Sequence, residues 1–145
     1  MRNREEVIRD FVEEWLGKAE MDLEAAEILA ASAMRDYFTC AFHCQQACEK
    51  YLKAYLVRHQ IEFLKTHDLG RILGLVGQID SGLREDLASC EWLTPFGVEF
   101  RYPGQHEEVD QFKAQSALAE ARRVKQAVAE HLGSYLNGAD RGCAG

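Results

Sequence analysis

The chain predicts an all-α, up-and-down antiparallel helical bundle of four to five helices. Three observations lead there. Apolar residues recur at steps of three or four through three long segments, the period of a helix with one buried face. The connection Met34-Arg35-Asp36 between the first two segments is short, so those helices have to run antiparallel and bury each other's stripes. And 47% of the 145 residues are apolar with only two prolines, which fits a single well-filled core and neither a disordered nor a fibrous chain.

The first long helix is expected over residues 4–33. Ile8, Phe11, Trp15, Ala19, Leu23, Ala26, Leu29 and Ala33 form its stripe, with Asp22 inside it, a carboxylate that needs hydrogen bonds or a cation when buried. The second is expected from about Asp36 to His59. On a helical projection Tyr37, Phe38, Ala41, Cys44, Cys48, Tyr51, Leu52, Tyr55 and Leu56 share one arc, while Gln46, Glu49, Lys50 and Lys53 fall opposite. Gln45 sits at the edge of the arc, where its amide needs partners. Glu49 and Lys53 make an i,i+4 pair in the favourable order.

Thr66 reads as the N-cap of a third helix over His67–Gln78, with Leu69, Ile72, Leu73 and Val76 inward. Asp80-Ser81-Gly82 breaks the chain before a short fourth helix at about Leu83–Trp92. Thr94–Asp110 contains Pro95, Gly97, Pro103 and Gly104 and reads as irregular. It is also dense in reactive side chains: Glu99, Arg101, Tyr102, His106, Glu107 and Glu108. A final helix over Gln111–Asn137 turns Ala117, Leu118, Ala121, Val124, Val128, Leu132 and Tyr135 inward. The domain expected is therefore residues 4–137, with 138–145 a small-residue tail.

Charge and cysteines narrow the function classes. A net charge of −7 argues against a coat-type DNA-binding protein, which would be basic. No apolar run approaches the roughly 20 residues that span a bilayer, and the charged N-terminus is no secretory signal. Five cysteines without such a signal read as reduced thiols, so a cytoplasmic protein is expected. Cys40, Cys44 and Cys48 stand four residues apart near His43, but three positions along one helix drift too far to converge on one ion. They read as small core residues, and neither a metal nor a cofactor is expected.

The ordered set Trp15-x3-Ala19-x2-Asp22-Leu23-x2-Ala26, Ala41-Phe42-His43-x-Gln45-Gln46-Ala47-Cys48-Glu49-Lys50-Tyr51-Leu52-Lys53-Ala54, Lys65-Thr66-His67-Asp68-Leu69 and Arg101-Tyr102-Pro103 resembles the HEPN family (higher eukaryotes and prokaryotes nucleotide-binding), in its Arg-Tyr-Pro-containing branch. The resemblance spans about residues 12–136. It implies a helical bundle, often a homodimer, that works on nucleotides or RNA, commonly beside a minimal nucleotidyltransferase in a toxin–antitoxin pair. On that basis Gln46, Lys50, Lys53, His67, Arg101 and Tyr102 are the candidate nucleotide-binding residues.

The family's ribonuclease signature, Arg then His after four to six residues, is matched by Arg101 and His106. A guanidinium can grip a phosphate in bidentate fashion and a histidine can move a proton near neutral pH. Two features weigh against catalysis here. Pro103-Gly104 in the spacer favours a turn, and Glu107-Glu108 place carboxylates where a phosphate would bind. The first expectation is thus a homodimeric protein that binds a nucleotide, a partner nucleotidyltransferase, or both. The alternatives are a metal-independent toxin ribonuclease using Arg101 and His106, and a purely structural helical interaction domain.

Overall fold

The structure, a computed structural model, describes residues 2–97 and 108–138. Arg101, Tyr102 and His106, together with Glu99, Phe100 and the tail from 139 on, lie outside those residues. Five α-helices and one 3-10 segment account for nearly all of the described chain, and no strand occurs among the described residues. They are α1 (Arg4–Ala31), α2 (Tyr37–Arg58), α3 (Leu69–Ile79), α4 (Ser81–Leu87), the 3-10 segment Ala88–Gly97 and α5 (Gln111–Leu136). The protein is an all-α bundle. No described helix is long and apolar enough to cross a membrane.

Capping sets the ends. Asn3 accepts from Glu6 N while the Glu6 side chain accepts from Asn3 N, a reciprocal box that starts α1. Asp36 caps α2 through Thr39 N and also takes the Thr39 hydroxyl at 2.6 Å. Past the end of α2, Gln60 has φ 56° and Ile61 N–H reaches back to the Leu56 carbonyl, closing the last turn in the six-to-one pattern. Asp68, rather than Thr66, caps α3, accepting from Gly70 N and Arg71 N. The Thr66 hydroxyl instead accepts from Asp68 N at 3.1 Å, so residues 66–68 form a turn ahead of the helix. The Thr94–Gly97 stretch, expected to be irregular, is 3-10 and includes Pro95. A 3-10 turn asks less of the backbone than a continuing α-helix, and Thr94 still accepts from Leu69 N through its hydroxyl.

Cross-helix contacts fix the directions. Ala26 meets Cys40, Asp22 meets His43, and Arg4 meets Gln60, so α1 and α2 are antiparallel. Arg9 bonds the Tyr135 carbonyl, Glu20 pairs with Lys125 and Glu27 with Arg122, so α5 runs antiparallel to α1 as well. Helix α2 is the centre: it packs on α1, α3, the 3-10 segment and α5. Its Cys40, Ala41, Cys44, Ala47, Cys48, Leu52, Ala54 and Leu56 are fully buried. Small residues on this arc let four neighbours approach one helix, and Leu52, Leu56, Phe96, Leu118 and Leu132 fill the remaining volume.

Three sequence expectations change. Phe11, placed in the α1 stripe, is 53% exposed; the buried face is centred on Val12, Ala19 and Ala26, to one side of it. Glu49 and Lys53, placed on the outward side of α2, are only 3% and 4% exposed. That side of α2 is covered by α1 and by the chain entering α3. Ala33, placed at the end of the α1 stripe, lies beyond that helix, which stops at Ala31 with Ser32 as its C-cap.

Candidate functional site

The polar flank of α2 is built on two carboxylates, each holding one ammonium and one imidazole. Asp22, from α1, accepts from His43 Nδ1 at 2.9 Å and pairs with Lys50. Glu49 accepts from Lys53 Nζ at 2.9 Å and from His67 Nδ1 at 2.7 Å. A carboxylate can only accept, so in both dyads Nδ1 carries the proton and the other ring nitrogen remains for a ligand or for water. The two clusters share a flank because His43, Gln46, Glu49, Lys50 and Lys53 recur at steps of three and four.

Burial divides these side chains into support and surface. Lys53 is internal: besides Glu49 it donates to the Thr66 carbonyl at 3.3 Å, and its ammonium lies 5.5 Å from both the Trp15 and the Phe63 ring centroids. Those two rings meet edge to face at 6.2 Å, closing that end to water. Gln45, fully buried, donates to the His67 carbonyl at 2.9 Å and to Glu49 at 3.4 Å, and accepts from Gln46 at 2.7 Å. The His67 turn is thus held by its ring and by its main chain. What reaches the surface is the His67 imidazole, 60% exposed, with Gln46, Lys50 and His43 partly open beside it.

Gly97 connects this flank to the Arg101 segment. A Cβ on Gly97 would stand 2.7 Å from the Gln45 amide, so the chain passes directly against Gln45. It is followed four positions later in sequence by Arg101. The absent side chain is what permits that approach.

Of the candidate nucleotide-binding residues, Gln46, Lys50 and His67 share this partly open flank. Lys53, also expected to meet a ligand, faces inward and is saturated by Glu49 and Thr66. Arg101, Tyr102 and His106 lie outside the described residues. Asp22, whose burial calls for hydrogen bonds or a cation, has Lys50 and His43, and Glu49 has Lys53 and His67. His43 was legible as a neighbour of the cysteines and as part of the Ala41–Ala54 motif, with no partner or role assigned to it. The pairing that matters, with Asp22 across the α1–α2 seam, requires the register of the two helices. The buried thiols have a different role. Cys44 and Cys48 are shifted upward, first by the hydrogen bonds they donate to Cys40 and Cys90 respectively and then by burial, so they remain neutral core groups.

Residues 12–132 match the HEPN domain family, and the chain belongs to that family. Among solved structures it is similar to the crystal structure of TT1696 from Thermus thermophilus. The two are 27% identical with a TM-score of 0.64 over 82% of this chain and 96% of that one. Comparison with curated proteins gives no match.

Proposed function

We propose that the protein is a homodimeric HEPN-domain binding protein that takes the phosphate end of a nucleotide on the polar flank of α2 and acts with a partner minimal nucleotidyltransferase. The observation that carries this reading is the pair of acid-anchored dyads. His43 on Asp22 and His67 on Glu49 are oriented before any ligand arrives, with Lys50 and Gln46 between them. Each carboxylate is matched by one lysine ammonium, and a phosphate meets the ring edge opposite each carboxylate. Arg101, which the family resemblance assigns to the same site, supplies the permanent cation.

Isothermal titration with adenosine and guanosine mono- and triphosphates tests it. Gln46→Ala and His67→Ala, both on partly or fully open side chains, weaken binding by about tenfold each, the worth of one charge-assisted hydrogen bond. Absence of heat with every nucleotide overturns the reading. The dimer rests on the family resemblance, and Phe112, 81% exposed in the first turn of α5, is the side chain offered for its contact.

The second reading is a metal-independent ribonuclease toxin, favoured by the Arg101-x4-His106 spacing. Arg101 would hold the phosphate and His106 would act as acid or base. In that case His106→Ala lowers cleavage by ~10²–10⁴-fold and relieves toxicity on expression, and it leaves nucleotide binding at His67 intact.

A further inference from the structure

The outer face of α1 carries an apolar line that no described residue covers. Val7, Phe11, Met21 and Ile28 are 38%, 53%, 72% and 62% exposed, while α1 meets its neighbours through Val12, Ala19, Leu23 and Ala26 on the other side. With Glu14, Lys18 and half-buried Ala25, these positions follow steps of four and three in strict alternation. That is a period of 3.5, so the line drifts by only about 20° per heptad as it follows the helix for roughly 30 Å. At its middle Gly17 has nothing within 4 Å of where a Cβ would stand. A slowly winding 3.5-residue seam is the surface a second helix packs along by supercoiling.

Charge decides what kind of helix. Glu13 and Glu24 are exposed along one flank of the seam and Glu14 stands within it, and none has a cation partner among the described residues. Lys18 is the seam's one cation. A second copy would bring the same acids and a net charge of −7, so copies repel each other here. Anionic lipid and nucleic-acid phosphates are repelled in the same way. A helix whose apolar stripe is flanked by Lys and Arg satisfies both the seam and the acids.

We infer that the outer face of α1 is a docking surface for a cationic amphipathic helix of another protein. It is separate from the α2 flank and does not depend on nucleotide binding. The probe is a designed four-heptad peptide with Leu at a and d and Lys at e and g, beside a Glu-flanked twin of equal hydrophobicity, read by fluorescence anisotropy against the full chain. The Lys peptide binds, added salt weakens it, and the Glu peptide does not bind. Phe11→Ser weakens the Lys peptide about tenfold, and Glu13→Lys with Glu24→Lys reverses the preference toward the Glu peptide. Circular dichroism and nucleotide titration confirm that these surface variants keep the fold and the α2 site. Equal binding of both peptides, binding of neither, no effect of Phe11→Ser, a fall in molecular mass caused by Phe11→Ser, or binding to anionic vesicles that the Lys peptide fails to displace would each overturn it.

Discussion

Glu49 and Lys53 lie side by side in α2 at 3% and 4% exposure, and the energetics of the site turn on that burial. A buried pair is costly to break and less costly to replace. Glu49→Ala leaves the Lys53 ammonium without its anion and frees the His67 ring; it should destabilise the fold by about 3–5 kcal/mol in urea melts. The double change Glu49→Leu with Lys53→Met should recover most of that loss, while nucleotide binding stays weakened by no more than the roughly tenfold expected of His67→Ala, since His67 has lost its acceptor. If the double variant is as unstable as the single one, the pair is not the unit described. Gly97→Ala tests the neighbouring contact: a methyl 2.7 Å from a fully buried amide must displace Gln45 from the His67 carbonyl, at about 1–3 kcal/mol. At this scale the sequence was partly legible. Asp22 stood out as a carboxylate within an apolar stripe, and Gln45 as an amide at its edge. Their partners were not legible, because His43–Asp22 and His67–Glu49 are made across elements and depend on helix register.

Helix ends carry the next level of the account. Arg35 holds φ 57° in the turn between α1 and α2, a left-handed conformation that a side chain disfavours and glycine accepts. Arg35→Gly should therefore raise stability by about 0.5–1 kcal/mol, visible as a higher melting temperature; a lower one would mean the side chain has an undetected role. Asp80 ends α3 and caps α4, accepting from Leu83 N. That bond, aided by His131, holds its carboxyl below the ordinary aspartate value. A depressed acid stabilises the fold above its unfolded pKa and loses that contribution as pH falls through the folded value. Asp80→Ala should lower the melting temperature at pH 7, and the difference from the parent chain should shrink below about pH 4. The three long helices were readable to within two residues from periodicity. The start of α3 was misplaced because Thr66 and Asp68 are both good caps, and the contacts that separate them are tertiary: Lys53 on the Thr66 carbonyl, Gln45 on the His67 carbonyl and Thr94 on Leu69 N.

On the scale of the whole molecule, one helix organises both the core and the site. Leu52 is fully buried at the centre of α2, and Leu52→Ala should cost ~2–5 kcal/mol. The opposite flank of the same helix presents the dyads, so the core fixes their geometry. If Phe112 lies in a dimer interface, Phe112→Ser should halve the mass seen by light scattering; a parent chain that is monomeric at tens of micromolar would remove the dimer. The class of fold followed from sequence pattern alone, whereas the site emerged only once α1 was laid against α2 and the His67 turn against both.

The most direct test of the nucleotide site is a titration followed through the histidine ring signals by nuclear magnetic resonance. His43 and His67 are the rings proposed to meet the ligand; His59 and His131 pack around Tyr55. Saturating nucleotide should shift the ring resonances of His43 and His67 together, with a common midpoint, and leave those of His59 and His131 in place. Unmoved His43 and His67 signals in the presence of a nucleotide shown by calorimetry to bind would contradict the placement of the ligand on the α2 flank.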